Sequence, residues 1–204
     1  EGEWRASESG ETIAVEDPST REAVTEVASG TEADVDAAYE AAAEAQESWG
    51  EQPPARRQAV IEGFHEALDA HADEIVELLE YEVGGSAIMG ETSIQIASDH
   101  ASEAATLPRR MKGEHAASNI PGKENQLRVG PKGVVTVISP WNFPLNLSMR
   151  AVAPAIAAGN SVVLKPSTNS PITGGLLFAK LFEETDLPEG VLNVVTGHGS
   201  EIGD

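Results

Sequence analysis

The side chain best placed to do chemistry in this 204-residue chain is an amide held between two prolines. In Ser139-Pro140-Trp141-Asn142-Phe143-Pro144 the proline rings restrict their own φ and disfavour helical backbone in the residues before them, so Asn142 has few conformations to lose. An amide NH2 fixed in this way suits donation to an oxyanion as its charge develops. The competing role is a cap on the helix that the sequence starts near Pro144. Lys165 closes the apolar run Ser161 to Leu164 and is followed by Pro166, Ser167 and Thr168. An ammonium leaving the carboxyl end of a buried strand lies where open α/β sheets bind ligands. A lysine whose stem packs while its head reaches water gives the same pattern. Gly197, Gly199 and Gly203 form Gly-x-Gly-x-x-x-Gly, one residue longer than the dinucleotide fingerprint and equally readable as a tight turn before a helix.

These groups need strands and helices to hold them. Val134 to Ile138 is β-branched throughout, which predicts a strand covered on both faces. A small, apolar helix is expected from Leu145 to Ala158, with Gly159 and Asn160 as left-handed terminators and Ser161 to Leu164 as a second buried strand. Ser170 reads as a cap with Pro171 at the first helical position. Leu176 to Phe182 carry that helix, Val191 to Val195 supply a third buried strand, and Thr196 to Gly203 form a loop. Alternating strands and helices with short connections predict an α/β fold with a doubly wound parallel sheet.

Ahead of this lie Thr12 to Val15 and Ala23 to Val27, separated by the turn signal Asp17-Pro18-Ser19-Thr20 and read as an edge hairpin. Thr31 and Asp34 make a capping-box-like start to a helix with Val35, Ala38, Ala42, Ala45 and Trp49 on one face. After Pro53 and Pro54 a second helix, marked by Val60, Phe64, Leu68, His71, Ile75 and Leu79, runs to Gly84 and Gly85. A weaker helical pattern spans Ser86 to Leu107, with Pro108 as its stop. Arg109 to Lys132 reads as a long irregular connection. His65 and His71 are six apart and diverge on a helix, which speaks against a metal site.

The chain has no cysteine, so a thiol nucleophile, a disulfide and a thiolate metal site are excluded within it. No apolar run reaches the roughly 18 residues of a membrane span, and the first residues lack the basic and apolar regions of a signal peptide, so a soluble, cytoplasmic protein is expected. The net charge of −21 is uneven: residues 1–104 hold 26 Asp and Glu against 4 Lys and Arg, and residues 105–204 hold 8 against 9. The acid thus lies away from the candidate residues, where it would otherwise repel a pyrophosphate. Nucleic acid and anionic membranes are poor partners for such a chain. So many carboxylates with so few lysines suggest adaptation to molar salt, which shortens the screening length to roughly 3 Å.

ISPWNFP, an alanine-rich helix, AGN and VVLKPS together resemble the nicotinamide-binding half of the aldehyde dehydrogenase superfamily, from about Asp17 to Asp204. PGKENQLRVGPKGVV, NLSMRAVAPA and TGGLLFAKLFEE resemble most its benzaldehyde and vanillin dehydrogenase branch. The resemblance implies an amino-terminal hairpin and helical layer over 1–108, a β arm for subunit exchange over 109–132, and a Rossmann-like core over 133–204. It implies NAD or NADP bound by Ile138, Ser139, Pro140, Trp141, Asn142, Lys165, Ser167, Thr168, Gly199 and Gly203, with Lys165 at the adenosine ribose and Trp141 beside the nicotinamide half. NAD-preferring relatives commonly carry glutamate where this chain has Thr168, so tolerance of NADP is expected, with Lys165 and Ser167 as phosphate contacts.

The implied reaction is attack of a cysteine thiolate on an aldehyde, hydride transfer from the resulting oxyanion, which Asn142 stabilises, and hydrolysis of the thioester. Both that cysteine and a glutamate base are expected downstream of Asp204, so the chain alone would bind and orient without completing the chemistry. Asn146, Leu147 and Arg150 are expected to line the aldehyde tunnel. Many relatives have an aromatic residue in place of Arg150, and the departure leaves an aromatic aldehyde as the favoured substrate with an aliphatic or semialdehyde one as the rival. A homodimer or homotetramer follows from the β arm. The alternatives are a catalytically silent binding or structural homologue, and a reductase of the same fold acting on an acyl phosphate or acyl thioester.

Overall fold

A computed structural model describes residues 3–203. Thr12–Glu16 (β1) and Ala23–Ala28 (β2) pair antiparallel, and in the turn between them Asp17 Oδ1 accepts from the Ser19 N–H at 2.7 Å while Arg21 takes a φ of 63°. Helix Glu32–Gly50 (α1) starts with a reciprocal capping box: Asp34 N–H donates to Thr31 Oγ1 (3.3 Å) and Thr31 N–H to Asp34 Oδ2 (2.9 Å). Helices Pro54–Ala70 (α2), Ala72–Val83 (α3) and Ala87–Arg110 (α4) follow. Glu114–Ala117 (β3) and Glu124–Leu127 (β4) make an antiparallel hairpin with every residue exposed, so the connection read as irregular holds a two-stranded arm.

Val134–Ile138 (β5), Pro144–Ala157 (α5), Ser161–Lys165 (β6), a π-helical turn Ile172–Leu176, Leu177–Phe182 (α6), Leu192–Val194 (β7) and the short Gly199–Ile202 (α7) complete the chain. The three strands are parallel in the order β5-β6-β7. Their register sets Ile138 opposite Lys165 and Leu164 opposite Val194, so the strands end together at their carboxyl side. One face of the sheet, with Val137, Val162 and Leu164, joins a core built from α2 to α6 around Phe64, Phe178, Met149 and Ile156. The other face meets α1, through Val163 and Val195 against Ala38 and Ala42, with Ile202 of α7 at its edge. That second face is thinly covered, and the consequences appear at the site.

The structure corrects the sequence reading in several places. The expected single helix from Pro54 to Gly84 is two, broken at His71, whose φ of −102° and ψ of 15° turn the chain. The apolar spacing continues across the break, so periodicity alone does not reveal it. Helix α4 passes through Pro108 to Arg110. A proline two residues from the end removes one backbone bond, and Arg109 and Arg110 complement the carboxyl end of the helix dipole. Gly159 does take the left-handed φ of 91°, but Asn160 does not. Its Oδ1 instead accepts from the N–H groups of Lys132 (2.6 Å) and Gly133 (3.2 Å), stitching the entry of β5 to the exit of α5.

Strand β5 is not covered on both faces: Thr136 and Ile138 are exposed, on the face that α1 and the edge of α7 cover incompletely. Strand β7 is shorter than expected and half-buried, with the flanking Val191 and Val195 taking the buried positions. The loop after it contains α7. Among the described residues no helix is long and apolar enough to cross a membrane.

Candidate functional site

The carboxyl ends of β5, β6 and β7 form a rim, as parallel sheets do where they bind ligands. At the end of β5, Ser139 is buried and its N–H donates to the Lys165 carbonyl at 3.0 Å, locking the exits of two strands together. Pro140, Trp141 and Asn142 then stand exposed. Helix α5 begins with Phe143 at its N-cap and takes no side-chain cap, so the capping role considered for Asn142 is absent. Trp141 is 55% exposed, which removes core packing as its reason for being there.

Lys165 is half-buried, and its Nζ donates to the Pro166 carbonyl at 3.2 Å. Burial lowers its pKa below the usual lysine range. Ser167 Oγ accepts from the Asn169 N–H at 3.2 Å, tightening the turn that leaves Thr168 half-buried beside it. Lys165, Ile138 and Gly203 share a hollow of about 110 Å³ whose remaining walls are Val35 and Tyr39 of α1, Thr136, Val163, Val195 and Ile202. Its apolar walls and single cation would admit a flat, apolar ring carrying an anionic group. The α1 residues were missed by sequence reasoning. Val35 was read as a core position, and nothing local to Tyr39 signals that its hydroxyl reaches Thr136 on the thinly covered sheet face.

The glycines divide by role. A Cβ on Gly203 would collide with the backbone carbonyl of Gly199, so this glycine is needed by the turn itself, whereas one on Gly197 would meet first the flexible end of Ile202. Nothing lies within 4 Å of a Cβ on Gly199, which leaves its backbone open to a ligand. On α5, Arg150 is exposed and Leu147 half-buried, whereas Asn146 is buried with both amide atoms unpaired. The three do not present one common surface in this chain.

A larger hollow of about 770 Å³ lies along β7 between α1, α6 and the amino-terminal segment. Glu26, Glu40, Glu44 and Glu189 line it, and it would repel a pyrophosphate. Size therefore does not locate the site. The rim carries the cation and the free amide, and the surplus carboxylates lie elsewhere.

The sequence profile described as the aldehyde dehydrogenase family matches residues 4–204. A vanillin dehydrogenase of Corynebacterium glutamicum is 52% identical over 172 residues, covering 84% of this chain and 36% of that protein. A benzaldehyde dehydrogenase of Bacillus subtilis is 42% identical over 203 residues, covering 100% of this chain and 42% of its own. The crystal structure of an NAD-dependent benzaldehyde dehydrogenase from Corynebacterium glutamicum matches 99% of the chain with a TM-score of 0.95 at 47% identity, and the match covers 44% of that structure. The chain thus spans less than half the length of these relatives.

Proposed function

Since the chain belongs to the aldehyde dehydrogenase family, we propose that it is the amino-terminal, cofactor-binding portion of a cytoplasmic enzyme oxidising an aldehyde, aromatic by preference, to its carboxylic acid. The observation that carries this reading is the shared rim: three parallel strands end together, the first running into an exposed, proline-flanked amide and the middle one ending on a half-buried lysine. The residues present fit the adenosine end of a nicotinamide dinucleotide, because the hollow is largely apolar, holds a single cation and has no carboxylate in its walls. When bound, that cofactor accepts the hydride.

Lys165 would hold the ribose side, with Ser167 and Thr168 at its hydroxyls or 2′-phosphate. Ile138, Ser139, Pro140 and Trp141 would border the ring system, and Gly199 and Gly203 would admit the pyrophosphate. Asn142 donates its NH2 to the aldehyde oxygen as that oxygen becomes an oxyanion. The nucleophile must come from outside this chain, which has no cysteine. Leu147 and Arg150 would face the aldehyde, with Asn146 behind them. The exposed β3–β4 arm, with Ile120, Leu127 and Val129 uncovered, would join subunits into a homodimer or homotetramer.

The test is turnover by the complete protein in molar salt, where the carboxylate-rich first half is screened. Benzaldehyde is expected to give at least about tenfold higher kcat/KM than acetaldehyde, the equivalent of roughly 1.4 kcal/mol of extra transition-state binding. NADP should serve as well as NAD, and Thr168→Glu should raise the KM for NADP alone. Turnover with acyl phosphates or acyl thioesters but not free aldehydes would overturn the reading. Lys165 adds a pH dependence. Its charged form is the one that attracts phosphate and burial lowers its pKa, so the KM for NADP should begin to climb at a pH below that of an ordinary lysine. A KM flat through the alkaline range would remove Lys165 from the phosphate site.

A further inference from the structure

From α3 to the end of β5 runs a buried polar chain, of which the proposed function uses only the last member, Ser139. Glu82, near the end of α3, accepts from the backbone N–H groups of Ile172 (2.6 Å) and Thr173 (2.7 Å) and from the Thr173 hydroxyl. These groups open the π-turn, which has no cap of its own. One residue on, the Gly174 carbonyl accepts from Ser148 Oγ at 2.6 Å, and Ser148 Oγ lies 2.7 Å from Ser139 Oγ. A hydroxyl has one proton. Ser148 gives its proton to the carbonyl, which can only accept, so Ser139 donates to Ser148. Glu82, Thr173, Ser148 and Ser139 are all buried.

Packing makes the same connection a second time. A Cβ on Gly174 would come 3.2 Å from Pro144 Cβ, and one on Gly175 would come 2.5 Å from Pro166 Cγ. Pro144 closes the loop that carries Asn142, and Pro166 opens the loop that carries Thr168. One π-turn thus abuts both loops and supplies the acceptor for the hydroxyl pair under the first of them. Widened turns of this kind are frequent at functional sites.

We propose that Ser139 and Ser148 are positioning residues which, through the π-turn that Glu82 anchors, fix loop 139–144 so that the Asn142 amide is in place before substrate arrives. The proposal rests on the reading of Asn142 as the oxyanion donor. Fully satisfied buried polar groups rigidify what they join, and a donor misplaced by about 1 Å loses much of its effect on rate.

Ser139→Ala, Ser148→Ala and the double variant of the complete protein test it by kinetics and by amide exchange without ligand. Each single change is expected to lower kcat about tenfold, Ser148→Ala with the KM for cofactor within twofold, and the double variant should be no slower than the slower single variant, as for residues acting in one chain. Exchange at the backbone amides of residues 139 and 147, which are bonded to the Lys165 and Phe143 carbonyls at the two ends of the loop, should quicken about tenfold while the rest of the molecule is unchanged. A kcat within twofold of the parent in both single variants, or exchange that quickens evenly across the molecule, would overturn it. Should the parent fail to oxidise aldehydes at all, the functional reading falls, while exchange at the amides of residues 139 and 147 still decides whether these serines hold the loop.

Discussion

Replacing Asn142 by alanine in the complete enzyme is expected to lower kcat by about 10²–10³-fold, the roughly 2.7–4 kcal/mol associated with one oxyanion donor. Folding should hardly change, since the side chain is exposed and α5 draws no cap from it; exposed substitutions of this kind usually stay within about 0.5 kcal/mol. The KM for cofactor should also hold, because the donor acts on charge that exists only in the transition state. Aspartate at the same position should be worse than alanine, as it sets a carboxylate against the developing negative charge. Steady-state kinetics with the melting temperature of the same preparations separates these effects. A kcat within threefold of the parent would remove Asn142 from the chemistry.

Much of the frame around Asn142 was legible in the sequence. The PWNFP loop, the β-branched runs on either side of α5 and the capping box at Thr31 each follow from local rules, and each acts over a few residues. What escaped is what depends on partners far along the chain. Strand β5 reads as doubly covered because its composition says nothing about the cover α1 gives, yet Thr136 and Ile138 are left open at the hollow. Tyr39 lies 97 residues before the threonine it meets. Arg150 and Asn146, one turn apart on one helix, end in opposite environments, which composition does not announce.

The start of the π-turn is the clearest instance. Ser170 before Pro171 has the local signature of a cap, but its hydroxyl is buried and unpaired, and no side chain within the segment caps the turn. Glu82 does that work from 90 residues away, accepting from Ile172 N–H. Its two oxygens take one backbone N–H each, where a serine hydroxyl offers a single oxygen, so it displaces the weaker local choice. A sequence reading that looks three residues either way cannot find it.

Removing that carboxylate should be among the most damaging single changes in the chain. In Glu82→Ala two backbone N–H groups and one hydroxyl lose their acceptor in a buried place, and at about 1–3 kcal/mol for each unsatisfied group the cost should be on the order of 3–5 kcal/mol after partial relaxation. For a domain of this size that corresponds to a fall of roughly 10 °C in melting temperature. Glu82→Gln keeps one acceptor oxygen and should lose about half as much. The pH dependence has a defined sign. Burial raises the pKa of Glu82, against the bonds from Thr173 and Ile172, so the folded protein keeps this proton to higher pH than the unfolded chain does. The stabilisation from that proton is complete below the unfolded pKa and is lost as pH rises through the folded one. The gap between parent and Glu82→Gln should therefore narrow from acid towards neutral pH, which melting curves across that range would follow. A gap that widens instead would mean that the donated bonds outweigh burial and that the carboxylate is ionised throughout.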